Sequence, residues 1–493
     1  MGARAITNED LDAAQWEADP HADRAIDQIL GPWPQPLLKA AADAPLAASA
    51  KAGTQASPIQ ARLERIRALN NEITAWDCND AVANWKPTAA TPDYLVQPLQ
   101  DYVKAALPRP PEGADLERIA RAEKLFMDHG ALSVTILFCA SLPECYVVPD
   151  LASVLQATGQ LIHRAEHRIR ATGAMIFPAM MLGGLTRGDA SGIAQILKVR
   201  LIHASVRNLI LRGTPQAAAA EETHEAIPPL ATIQDRDDRH EALYVHGWDL
   251  GEDALPNNQE ELAYTLLTFS YVFLRSLRKL GIPFERQEEE DYLYLWNVVG
   301  HYLGIRPELT ATTYEEAEQL FDLMQKRGRE DWERTADKRN DPRPALGGAL
   351  IAAMKSAIPW AVFKPFPVLL TRELVAPASA RELALEESVS WVSQVLFVAI
   401  LGAARWFDTQ ARRWFPDFSI ARLLTRVIGY RLTCRLLMDQ TRDLVVPGRL
   451  RQPIRALIEQ WGRDPDASKW MNFLEDSLTT FGKWEPLDPP REV

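Results

Sequence analysis

The amino-acid sequence predicts an all-α protein, and three observations carry that expectation. Apolar residues recur at helical spacing along most of the chain, and no run shows the alternation of a half-buried strand. Several segments also begin with capping residues or end with glycine and proline, as helices do. With 493 residues, 47% of them hydrophobic, the chain can bury a large core. Its formal net charge of −12 argues against nucleic acid or an anionic membrane as a main partner. The four cysteines, Cys78, Cys139, Cys145 and Cys434, match neither a zinc motif nor a disulfide framework.

The elements are expected in the following order. Residues 59–86 read as a short helix followed by a Trp-containing turn, and PRPPEG at 108–113 is the first punctuation. A helix is expected from Ala114 to Gly130, followed by the apolar segment ALSVTILFCASLP. Next come a helix over 151–181, interrupted near Gly173 or Pro178, and another over 192–212. Residues 213–258 are loop-like. Asn257 or Asn258, with Glu260 or Glu261 three residues on, starts a helix whose buried stripe is Leu262, Leu266, Phe269, Phe273, Leu277 and Leu280. Gly281 and Pro283 stop it.

The segment EEEDYLYLWNVVGHYLGI opens with acids suited to a helix N-terminus. It is apolar on two faces, one with Tyr292, Leu295, Trp296, Val299 and Leu303, the other with Tyr294, Val298, His301 and Ile305. That places it at the centre of the core. DPRPALGG at 341–348 reads as a boundary region, with further helices expected at 379–407, 420–438 and 453–461. The acidic N-terminus has no basic-then-apolar leader, and the longest apolar run, VLFVAILGAA, is too short for a bilayer that needs about 20 residues. A cytoplasmic protein without a transmembrane segment is expected, which leaves peripheral membrane contact open.

The most informative stretch is KVRLIHASVR, 198–207. Arg200 and Arg207 stand at −3 and +4 from His203, so they project within about 60° of it on a helix. Val199, Val206 and Ile210 share that sector. A single imidazole on an apolar face suits ligation of a metal in a large planar cofactor, with the arginines neutralising acidic arms. The competing reading is a core histidine held by a hydrogen bond, with arginines paired to acids elsewhere. No HExxH, CxxC or pair of Glu-x-x-His motifs offers another metal chemistry. One protein ligand is sufficient for haem, whose porphyrin supplies four nitrogens.

KVRLIHASVR, NNQEELAYTLLTFSYVFLRSLRKLGI and EEEDYLYLWNVVGHYLGI, in that order, resemble the oxygenase family of latex clearing protein (rubber oxygenase) and fungal MpaB. The likeness runs from about Ala120 to Ile305. It implies a globin-like helical core holding haem b, with additional N- and C-terminal helices. His203 matches the proximal iron ligand, and Arg200 and Arg207 match the flanking arginines. Arg168 and Thr172 match catalytic positions on the distal side, where Ala171 stands in place of a lysine able to cap the iron. The distal site is therefore expected to be open. The family's glutamate base has no match in LASVLQATGQL; Glu144, Asp150 and Glu166 lie nearby.

The resemblance divides the chain into an N-terminal helical extension (1–110), a haem-binding oxygenase core (111–345) and C-terminal helices packed on it (346–493). It implies an oxygenase using O₂ on an unsaturated hydrophobic substrate (an isoprenoid, lipid or secondary metabolite), with C=C cleavage to carbonyl products as the leading reaction. A non-enzymatic haem protein that binds or senses a gas is the alternative, and a cofactor-free helical interaction protein is a third. His301, beside Gly300 and Gly304, reads as a core histidine, although small neighbours would also admit a flat cofactor. His163 and His167 read as a solvated face. Trp391, Trp406, Phe407 and Trp414 read as cover for the core.

Overall fold

A computed structural model describes residues 6–33, 58–107, 113–148, 172–212, 254–335 (Pro283 aside), 341–357 and 364–385, with isolated positions at 248, 250 and between 391 and 406. Every regular element among the described residues is a helix. In chain order these are α1 (Asn8–Ala14), α2 (Pro20–Leu30), α3 (Pro58–Thr74), α4 (Asn79–Ala83), α5 (Asp93–Ala106), α6 (Leu116–Asp128), α7 (Gly130–Ile136), α8 (Leu142–Cys145), α9 (172–180), α10 (Gly192–Ile210), α11 (Gln259–Phe269), α12 (Tyr271–Leu280), α13 (Arg286–Leu303), α14 (Tyr314–Thr335), α15 (Arg343–Ala357), α16 (Phe366–Leu374) and α17 (Pro377–Glu382).

Local chemistry explains many of these boundaries. Asp19 and Asp115 cap α2 and α6 by accepting from amides one turn inside. Asn258 caps α11 through the Glu261 amide, while the Glu261 carboxylate reaches back to the Asn257 amide. The reciprocal pair that the two asparagines announce is therefore split between them. Glu285 and Glu288 form the capping box of α13. The stripe from Leu262 to Leu280 is carried by two helices rather than one, because Ser270 (φ −93°, ψ −71°) breaks the line between α11 and α12. Gly281, in the left-handed conformation, ends α12 as expected.

Other elements depart from the sequence pattern. The helix over 172–180 continues through Gly173 and Pro178 and ends after Met180, so neither residue interrupts it. The segment 341–348 opens α15, whose Leu346, Leu350 and Met354 are buried in the main core. Trp391 and Trp406 are 75% and 60% exposed rather than buried in the core, while Phe407 and Trp414 lie outside the described residues, as do His163, His167 and residues 407–493.

One continuous apolar cluster joins the described helices. The segment from α7 to α8 passes through its middle as a fully buried strip, with a π-helical turn over Leu137–Ser141. Around it α13 packs along α6, and α10 packs against α2 and α13. Among the described residues no single helix is long and apolar enough to cross a membrane; α6 with α7–α8 reaches that composition only as a pair bent by 81°.

A buried carboxylate ties four helices together within this core. Glu144 of α8 accepts from Arg275 Nη2 (2.6 Å), Gln325 Nε2 (2.8 Å), Ser379 Oγ (2.8 Å) and the Ala376 amide (3.1 Å). Burial pushes its pKa up, but the Arg275 charge and hydrogen bond, with those from Ser379 and Gln325, outweigh it and hold the group below the usual carboxylate range. Glu144 thus contributes stability above the ordinary glutamate pKa, and that contribution is lost as pH falls through its lower folded value. Glu144→Ala is expected to cost about 3–5 kcal/mol in a urea titration, because it leaves the Arg275 charge buried without its partner.

Candidate functional site

Helix α10 is central, and its exposure pattern defines a site. Thirteen of its 19 residues are buried. The other six, Gln195, Lys198, Val199, Ile202, His203 and Val206, fall on one arc of about 140° at 100° per residue. Val199, Ile202 and Val206 form the middle of that stripe, and Ile202 is 47% exposed although it sits on a core helix. His203 lies half-buried along one edge, and Lys198 lies on the other. An exposed apolar strip on a central helix, bordered by an imidazole, is the surface that a flat apolar ligand would cover.

The two flanking arginines do not face the stripe as open cations. Arg200 donates from Nε to Asp19 Oδ2 (2.6 Å), from Nη2 to Asp19 Oδ1 (2.7 Å) and from Nη1 to the Tyr302 carbonyl (3.0 Å). This forked pair is almost fully buried, with side chains 4% and 5% exposed. Arg207 donates from Nε and Nη2 to Asp23 (2.9 and 2.7 Å), and from Nη1 to the carbonyls of Pro256 and Asn257. Asn208 continues the series to Asp27 at 2.7 Å. Asp19, Asp23 and Asp27 stand one turn apart along the start and body of α2, so the pairs form a ladder between α2 and α10. For the Asp19 carboxyl, burial pushes the pKa up; the Arg200 hydrogen bonds and charge, the Ala22 amide and Arg207 together outweigh this and hold it below the usual range.

Of the other expected residues, some lie within the described part of the chain and some do not. Thr172, the first described residue of α9, is half-buried. The opposite end of α9 touches the start of α10, where a Cβ on Gly192 would lie 2.9 Å from the Ala179 Cα. Arg168, Ala171, Asp150 and Glu166 lie outside the described residues. Glu144 is described, and its carboxylate is fully engaged by the four donors above. Gly300 and Gly304 do permit close approaches, but to side chains: a Cβ there would lie 2.9 Å from Leu266 Cδ2 and 2.7 Å from Arg200 Nη2 respectively. Gly304 also has φ +78°, so both backbone and space favour glycine there. His301 beside them is half-buried, and burial, then the Arg200 charge, lowers its pKa and keeps the ring neutral. Among the described residues no group of three His, Cys, Asp or Glu side chains converges as a metal site. A charged cleft of about 220 Å³ lined by Arg278, Phe284, Arg286, Glu289, Glu290, Tyr314 and Glu315 contains no residue of α10.

One buried acid escapes motif reading altogether. Glu123 of α6 is 1% exposed; its Oε2 accepts from the Gly183 amide at 2.8 Å, and its Oε1 meets no donor among the described residues. It secures the turn between α9 and α10. Burial raises its pKa to about 7, against the opposing amides of Gly183, Leu185 and Gly184.

With this geometry in place, the comparisons with known proteins fit the fold. Residues 131–406, over half of the chain, match the family model described as "ER-bound oxygenase mpaB/B'/Rubber oxygenase, catalytic domain". The chain belongs to this family of oxygenase catalytic domains. Among individual relatives, the rubber oxygenase of Streptomyces sp. (strain K30) is 24% identical over 127 residues, which are 26% of this chain and 24% of that protein. The chain thus matches only about a quarter of that relative's length. The structure of latex clearing protein in its closed state superposes with a TM-score of 0.53 at 16% identity, covering 91% of this chain and 90% of that one. That likeness is one of fold.

Two outcomes are expected. Asp19→Ala removes a helix cap and leaves the Arg200 charge buried without its carboxylate, so denaturant unfolding should show a loss of about 3–5 kcal/mol. Because the native Glu123 carboxyl holds its proton to about pH 7, stability should decline as pH rises from about 4.5 towards 7. In Glu123→Gln this part of the pH dependence should vanish; an unchanged pH–stability curve would contradict the assignment.

Proposed function

We propose that this chain is a haem b-dependent oxygenase that uses O₂ on an unsaturated, hydrophobic small molecule, with oxidative cleavage of a C=C bond to carbonyl products as its reaction. Family membership supports the oxygenase class. The single observation that carries the haem reading is the open apolar stripe of α10 with His203 on its edge. An imidazole beside Val199, Ile202 and Val206 is the kind of side chain that would hold the iron of a planar, largely apolar group. The fit is one-sided in its charges, because Arg200 and Arg207 are already paired with Asp19 and Asp23.

In this reading His203 would hold the iron, and the haem would supply the redox chemistry with O₂. The protein's own contribution is positional. Buried ion pairs fix the rotation of α10, so His203 stays at the border of the stripe. Val199, Ile202 and Val206 exclude water from the ligand's face and favour an apolar substrate. By their match to the family's catalytic positions, Arg168 and Thr172 would stabilise negative charge that develops during the reaction. Ala171 offers no ligating atom, so exogenous imidazole should bind the iron without first displacing a side chain. Glu144 is not the proton acceptor, since its carboxylate already accepts four hydrogen bonds.

The test is spectroscopic. The full chain, as purified or after addition of hemin, should show a Soret band at one haem per chain, and His203→Ala should lose or shift it. A chain that takes up no hemin would overturn the haem reading. Consumption of O₂ with an unsaturated isoprenoid, giving carbonyl products, separates oxygenase from gas carrier. A haem-loaded chain without such turnover over a panel of isoprenoids and lipids would favour the carrier.

A further inference from the structure

The stripe on α10 is not uniformly apolar, and its polar end has no use in the function proposed above. Gln195 and Lys198 stand three residues apart, so their side chains are neighbours on the helix surface, about 60° apart. Both are only partly buried. Among the described residues neither makes a side-chain hydrogen bond or an ion pair. Asp77, in the turn before α4, acts on Lys198 through charge alone and does not reach ion-pair distance. Burial, against that Asp77 charge, pushes the Lys198 pKa down to about 8, as for an ammonium that has lost water without gaining a partner.

The surrounding charges sharpen the point. The other two cations on this segment, Arg200 and Arg207, are each closed by a carboxylate of α2. Lys198 is thus the cation of α10 that remains on the ligand-facing arc. It stands about 7.5 Å along the helix axis from His203, and Gln195 about 12 Å, at 1.5 Å per residue. Val199 and Ile202 lie between, with Val206 beyond His203. An anion at the Gln195–Lys198 end would let an apolar body extend along the valine–isoleucine strip towards the imidazole.

We infer that Gln195 and Lys198 form a carboxylate-binding site for a ligand whose apolar body covers Val199 and Ile202. The carboxylate is either that of the bound cofactor or that of an acidic unsaturated substrate. The cofactor arm rests on the haem reading; the substrate arm does not. Lys198 supplies the charge and Gln195 an amide donor, a pairing that favours an acid over its ester. Its location on the arc selects ligands with one acidic end and an apolar remainder.

The experiment compares acids with their esters on the full chain at pH 7, by equilibrium dialysis. One pair is hemin and hemin dimethyl ester, the other farnesoic acid and methyl farnesoate. In at least one pair the acid should bind about tenfold more tightly than the ester, the size expected for one charge-assisted hydrogen bond. Lys198→Met should bring that pair within about twofold, while Lys198→Arg should keep most of the preference. Thermal unfolding of both variants should match the parent, since Lys198 makes no side-chain hydrogen bond or ion pair among the described residues. Preference in the hemin pair assigns the site to the cofactor, and preference in the farnesoic pair assigns it to the substrate. If hemin fails to bind but the farnesoic preference depends on Lys198, the haem reading falls and the site stands. Equal binding of acid and ester in both pairs, absence of binding by all four, or a preference that survives Lys198→Met overturns the inference.

Discussion

Helix α10 can present a histidine on an open apolar face only because something holds the rest of that helix in the core, and the buried fork between Arg200 and Asp19 does much of this. A guanidinium and a carboxylate that are 4% and 5% exposed must satisfy each other almost completely, since desolvating either alone costs several kcal/mol. The geometry meets that demand: two short hydrogen bonds to Asp19, a third to the Tyr302 carbonyl, and Gly304 making room for the guanidinium. Arg207 with Asp23, and Asn208 with Asp27, repeat the constraint further along the same flank. A helix pinned at these positions cannot roll. His203, 40–60° from the two arginines by helical geometry, is thereby set at the border between clamp and stripe.

The N-terminal segment is consequently part of the site although it lies outside the residues that match the family model. Its role is reinforced by Gln259, which donates to the carbonyls of Ala18 and Gly304 and accepts from the Arg306 amide. Through this one side chain the N-terminal segment, the start of α11 and the end of α13 are joined. A second polar centre is Glu144, which binds α8 to α12, α14 and the start of α17. Both centres follow one rule: a buried charge is tolerated where most of its hydrogen-bonding capacity is met by fixed partners. They also account for where polar residues sit in a core dominated by Leu, Ile, Val and aromatic side chains.

The charges around α10 also change how the chemistry is divided. Arginines beside a ligating histidine suggest direct contact with an acidic cofactor, yet here they orient the helix and leave recognition of an anion to Lys198 and Gln195. Orientation and recognition are then separate properties of one helix, carried on two of its flanks. Such a division lets the structural pairs be buried and permanent, while the recognising cation stays partly hydrated and able to exchange partners.

The all-α class and the order of most helices were legible in the sequence, because helical periodicity and capping pairs are local properties, and the R-x-x-H-x-x-x-R spacing singled out His203 as a candidate for the same reason. Asn258 with Glu261, Glu285 with Glu288 and Gly281 all act within one turn of where they stand. Helix α14 is less legible: its face carries so many charges that its buried Ala317, Leu320, Phe321 and Met324 are a narrow stripe. The break at Ser270 is invisible to a periodic pattern that continues on both sides of it. What Arg200 and Arg207 do follows from the packing of the chain, since their partners lie about 180 residues away, at the start of α2. The one-turn spacing of Asp19, Asp23 and Asp27 was readable, but nothing local says which helix such a ladder meets. Pairing across that separation is set by how helices pack, and this is the reason a motif can nominate His203 while leaving its neighbours' roles to the fold.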